Sequence, residues 1–121
     1  MWWLLTMTIV TALPPPEPKH PAFLDAPRLQ ALCDADGPDA ASAKTFCLGY
    51  VTGVVDQLLT RPPQRGGPTI CPSADFTPVA AVAAVQRYER YAISAKGVGA
   101  ADFVRYALER AYPCPIERTR R

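Results

Sequence analysis

Four cysteines, Cys33, Cys47, Cys71 and Cys114, constrain this 121-residue chain more than any other feature. A chain of that length holds one domain and one core, small enough for crosslinks to weigh heavily in its stability. No two of the cysteines form a CxxC or CxxxC pair, and the single histidine, His20, sits in a proline-rich stretch. Zinc sites take their ligands from such close pairs, so the pattern predicts no metal and, in an oxidising compartment, two disulfides. Four cysteines allow three connectivities. Choosing among them requires knowing where the intervening segments place each sulfur.

Proline and glycine divide the chain into segments with helical periodicity. The first, from about Ala22 to Cys33, sets Phe23, Leu24, Leu29, Leu32 and Cys33 near one face. Pro27 fits a first turn or delays the helix start, and Gly37-Pro38 ends the segment. The second, from about Ala40 to Thr60, repeats Phe46, Tyr50, Val54 and Leu58 at four-residue spacing, with Cys47, Val51 and Val55 beside them. It stops at Arg61-Pro62-Pro63. The following RPPQRGGPTI reads as a loop longer than most helix connections. Thr77-Pro78 supplies an N-cap and a first-turn proline for the third helix, which runs through VAAVAAVQRYERYAIS towards Gly97. The fourth, from about Ala100 to Tyr112, carries one stripe of Phe103, Val104, Ala107, Leu108, Ala111 and Tyr112, and Pro113 stops it. No alternating segment competes as a strand. The predicted fold is all-α, a small four-helix bundle-like domain with two disulfides.

In an up-and-down bundle, Cys33 and Cys47 lie at one end, and Cys71 and Cys114 at the other. A disulfide needs Cα atoms roughly 4.4–6.8 Å apart, whereas opposite ends of a four-turn helix are over about 20 Å apart. Cys33–Cys47 with Cys71–Cys114 is therefore favoured. The long loop before Cys71 leaves Cys47–Cys71 with Cys33–Cys114 open.

The stretch FCLGYVTGVVD, residues 46–56, places Gly49 and Gly53 four apart inside a helix. Each glycine there costs roughly 0.5–1 kcal/mol relative to alanine. Lys44 and Asp56 flank the pair too closely for a membrane span, so the spacing predicts that the two glycines let another helix backbone approach, with Tyr50 filling the adjacent core.

The N-terminus differs in composition. Met1 to Leu13 has no charged side chain, too short a run for an ordinary span but suited to a secretory signal, with cleavage expected after Ala12. A retained apolar anchor is the alternative. Either way export is expected, which makes the compartment oxidising. Residues 13–21, LPPPEPKHP, read as an extended linker; residues 22–115 form the helical domain, and 116–121 a basic tail. With 49% apolar and 20% charged residues the chain is globular, and a formal charge of +2 gives no argument for nucleic acid.

No catalytic constellation emerges. His20 lies outside the helical segments, so no nucleophile gains a histidine base there. Asp34, Asp36 and Asp39 have part of a calcium-loop spacing but lack the later bidentate glutamate. No cofactor, no metal and no enzymatic activity are expected. Arg87, Tyr88, Arg90 and Tyr91 concentrate interface-rich residue types at the end of the third helix, and Lys96 and Val98 follow in the next loop. These six are the candidate partner-binding residues. A partly buried bundle edge with snorkelling arginines explains the helix-end group equally well.

The ordered landmarks LQALCD, FCLGYVTGVVD, ICPSADFTPVAAV and FVRYALERAYPCP resemble the Tai/Rap immunity-protein family over residues 22–115. The most specific parts are Cys47, Gly49, Tyr50 and Gly53, and the ending Ala107, Leu108, Ala111, Tyr112, Pro113 and Cys114. The resemblance implies a helical, disulfide-containing periplasmic protein that binds and inhibits a peptidoglycan amidase toxin delivered by type VI secretion. Such proteins are often dimeric, so a homodimer is an expected assembly. The chain departs from the family pattern at SAKGVGA, between the third and fourth helices. The alternative function is an exported, disulfide-stapled envelope structural or stress-protective protein with no dedicated toxin.

Overall fold

Gly37-Pro38, Pro62-Pro63, Thr77-Pro78 and Pro113 break the chain where the sequence predicts, while the predicted end of the third helix lies outside the described residues. A computed structural model describes residues 11–12, 22–89 and 97–116. The expected signal segment, apart from Thr11 and Ala12, lies outside these residues, as do the linker and most of the basic tail. The order is α1 (Ala26–Cys33), α2 (Ala40–Leu59), a 3-10 turn (Pro63–Arg65), α3 (Pro78–Glu89) and α4 (Ala100–Ala111). The described residues contain no strand, only two isolated antiparallel bridges, Asp25 with Gly99 and Ile70 with Pro113.

Local chemistry sets the starts. Pro27 delays α1, whose N-cap Asp25 accepts from the Arg28 N–H at 2.9 Å. Phe23 consequently precedes the helix and is fully exposed, not part of its apolar face. Thr77 caps α3 as predicted, its hydroxyl accepting from the Ala80 N–H at 3.1 Å. The N-cap of α4, Gly99, has no side chain to offer. Its close fit explains the glycine: a Cβ there would come within 3.1 Å of the Ala22 Cβ. Backbone bonds from Ala26 N–H to the Val98 carbonyl and from Ala100 N–H to the Leu24 carbonyl, both 2.9 Å, hold that approach.

Each helix packs on the other three. Leu29 of α1, Val51 of α2, Val85 of α3, and Val104 and Leu108 of α4 are completely buried, joined by Ile70 from the long connection. Burying such a side chain stabilises the fold by about 1.5–3 kcal/mol. Gln86 of α3 reaches across to α1, donating to the Cys33 carbonyl at 3.2 Å and to Asp34 Oδ1 at 3.1 Å. It satisfies a carbonyl left open by the end of that helix.

The disulfides are Cys33–Cys47 and Cys71–Cys114, with Cα atoms 5.1 and 4.8 Å apart. This is the favoured pairing, and the alternative is excluded. The first is buried within the core, while Cys71 of the second is exposed. Beside the second, the Cys71 N–H donates to the Tyr112 carbonyl at 2.9 Å. Phe76 meets Tyr112 edge-to-face at 4.8 Å.

Candidate functional site

The core line of α2 is Cys47, Val51, Val55 and Leu58. The neighbouring line, Phe46, Tyr50 and Val54, is rotated out of the core: Tyr50 and Val54 are half-buried, and Phe46 is 51% exposed and stacked on Tyr50. Gly49 and Gly53 lie on the exposed side of this rim. The predicted close packing at these glycines is not what the fold uses. A Cβ at either position would meet nothing within 4 Å. The reason is geometric: the core line makes the helix contacts, and the glycines face an open groove instead.

That groove, about 500 Å³, runs between α2 and α4 and is lined by Gly49, Gly53, Val54 and Leu58 on one side and Asp102 and Arg105 on the other. Tyr50 also lines it, with Ala101 and Asp102 from the first turn of α4 beside its phenol. Burial holds the Tyr50 phenol above its ordinary pKa, outweighing the lowering effect of the Ala101 backbone. Arg105 pairs with Asp102 at 3.3 Å and Glu109 at 3.4 Å and lies over the Tyr106 ring at 4.6 Å. The charges on this wall are therefore mutually engaged.

A second groove, about 260 Å³, separates α3 from α4. Ala84, Ala107 and Ala111 line it together with Arg87, Tyr88 and Arg110. Arg87 is exposed, and Tyr88 is fixed by an edge-to-face contact with Phe103 at 5.3 Å. Of the six candidate partner-binding residues, Arg87 and Tyr88 share this groove. Val98 does not join them: it is half-buried against the core, and its carbonyl is held by Ala26. Arg90, Tyr91 and Lys96 lie outside the described residues. Arg110 was not among the candidates because it falls off the apolar stripe of α4. Only the packing of α4 on α3 brings it to the same groove as Arg87.

No metal-holding group of three His, Cys, Asp or Glu side chains occurs among the described residues. The arrangement offers surfaces for protein contact on a crosslinked scaffold. Residues 25–114 match the family described as Rap1a immunity proteins. The chain belongs to the Rap1a immunity protein family. The match spans all four helices and both disulfides, so the resemblance read from the cysteine contexts and the FCLGYVTGVVD core holds over the whole helical unit. Membership in the Rap1a family implies an immunity protein directed against a toxin. No curated protein and no solved structure matches the chain.

Proposed function

We propose that this Rap1a-family chain is a periplasmic immunity protein that binds and inhibits a peptidoglycan amidase toxin delivered by type VI secretion. The family match over residues 25–114 carries this reading. Two disulfides in so small a domain suit an oxidising compartment outside the cytoplasm, and the apolar N-terminal run suits export to it. Inhibition needs no chemistry from this chain. A scaffold already ordered by its crosslinks gives up little conformational freedom when it covers a toxin's cleft, so more of the contact energy appears as affinity. A homodimer would present two such surfaces.

The test is co-expression of the full chain with the amidase encoded beside its gene, the toxin being directed to the periplasm. Rescue of growth, with co-purification of the pair, is the expected outcome. Continued lysis with no complex at micromolar concentration would sink the reading. Light scattering on the purified chain gives its oligomeric state.

A further inference from the structure

The α2/α4 groove does not stop where α2 ends. Gln57 and Leu58 line it and also line a further recess of about 320 Å³, formed with Thr60, Arg61, Pro62 and Arg65 of the following loop. The two are therefore one channel that follows α2 from Gly49 past its last turn. From Gly49 to Leu59 the helix rises about 15 Å, the span of roughly five extended residues or three helical turns. Every residue lining the channel belongs to α2, α4 or the loop after α2, all among the described residues.

The channel changes character along its length. Gly49 and Gly53 leave it open, since a Cβ at either would meet nothing within 4 Å, and Val54 and Leu58 make it apolar. Phe46, half-exposed and stacked on Tyr50, extends the apolar surface towards the start of α2. Charge is concentrated at the opposite end. On the α4 wall Asp102 and Arg105 bind one another, and Arg105 also binds Glu109. Arg61 and Arg65, both exposed, make no ion pair among the described residues. The Arg61 guanidinium lies against the turn at Gly66, where a Cβ would stand 3.8 Å from Nη2. A cation suits the C-terminal end of α2 through its dipole. That preference accounts for Arg61 beside the helix end. It does not account for a second guanidinium lining the same recess, nor for two glycines left open in the groove that leads to it.

We propose that this channel seats a segment of the toxin that is apolar along its length and carries an Asp or Glu side chain at one end. This rests on the immunity reading. The segment's apolar side chains pack over Gly49, Gly53 and Val54, and its carboxylate is held by Arg61 and Arg65 through charge-assisted hydrogen bonds. Gln57, at the junction, offers its amide to the segment's backbone. The glycines then serve the interface: helix propensity given up in the free protein is returned as contact area in the complex. Arg87, Tyr88 and Val98, which the sequence singles out for partner contact, do not line this channel.

The experiment is calorimetric titration of the full disulfide-bonded chain with a catalytically inert form of the amidase encoded beside its gene. The wild type should bind, and its affinity should fall as salt is raised. Arg61→Glu with Arg65→Glu should weaken binding by about tenfold or more and flatten the salt dependence. Arg61→Lys with Arg65→Lys should retain most of that dependence. Gly53→Leu, at a position with open space and no positive φ, fills the groove without altering charge and should weaken binding by about tenfold. Arg28→Glu with Lys44→Glu makes an equal charge change at exposed positions that do not line the channel. It should leave affinity within about twofold at physiological salt. Circular dichroism and disulfide mapping confirm that each variant folds. If the wild type binds and either the double reversal or Gly53→Leu binds as tightly, the channel assignment is overturned and the immunity reading stands. If Gly53→Leu keeps full affinity for the amidase but turns a dimer into a monomer by light scattering, a second copy occupies the channel and the assignment is overturned in that way. If the wild type does not bind, the immunity reading falls and this assignment with it.

Discussion

The two sides of α2 are close in sequence and opposite in use. On one side Cys47, Val51, Val55 and Leu58 are buried among α1, α3 and α4, and Cys47 is bonded to Cys33. On the other, Phe46, Gly49 and Gly53 face outward, with Tyr50 at the boundary between the two. The core side gains stability from burial and crosslinking. The groove side gives up helix propensity at two glycines and receives no packing from the described residues in return. Apolar character at helical spacing identifies a helix that packs, but it does not say which of two adjacent apolar lines does the packing.

Substitutions can break this contrast, beginning with the largest effect. Replacing Cys33 and Cys47 together by alanine removes a crosslink of sequence separation 14. The lost constraint on the unfolded chain costs about 3 kcal/mol, and the lost buried sulfurs add to it. Urea unfolding under non-reducing conditions should show a midpoint far below wild type. An unchanged midpoint would mean that the core side of α2 does not depend on its fastening. Val51→Ala, at a completely buried position, should cost about 2 kcal/mol in the same measurement.

At the boundary, Tyr50→Phe keeps the ring and removes only the hydroxyl, so it should change stability near neutral pH by less than about 1 kcal/mol. It should also alter the alkaline limb of stability. The folded state holds the phenol proton above the ordinary pKa, which is about 10 in the unfolded chain. Stability is therefore fully present below that pH and falls as pH rises through it, because the unfolded state releases a proton that the folded state keeps. Tyr50→Phe removes this contribution, so its stability-versus-pH curve should fall less steeply on the alkaline side.

The smallest effects lie on the groove side and carry the opposite sign. Gly49→Ala and Gly53→Ala should each raise stability by about 0.5–1 kcal/mol, since neither position has positive φ and an added methyl meets open space. Destabilisation by either change would restore the close-packing role that the glycine spacing first suggests.

Much of the architecture is legible before folding. Pro27, Gly37-Pro38, Pro62-Pro63, Thr77-Pro78 and Pro113 act on their own backbone neighbours, so they mark helix ends whatever the tertiary context. The same boundaries favour the observed disulfide pairing, because helix length separates the two ends of the bundle, and the structure excludes the alternative that the long loop before Cys71 left open. The short 3-10 turn Pro63–Arg65 is not legible, since its three residues are too few to show periodicity. Val98 looks like an exposed loop residue in sequence, and only its contact with the α1 entry shows that it anchors the α4 start.

The candidate surfaces depend on packing throughout. Arg110 joins Arg87 because α4 packs on α3, and Tyr50 reaches the first turn of α4 because α2 lies beside it. The sequence by itself determined the four helices, most of their ends, the favoured crosslinking pattern and the family, since these rest on local backbone preference, periodicity and cysteine context. The tertiary structure alone decided which apolar line of α2 is core and that Gly49 and Gly53 line a groove. Burial is a property of pairs of elements: a residue is inside only when another helix covers it, and no single helix carries that information.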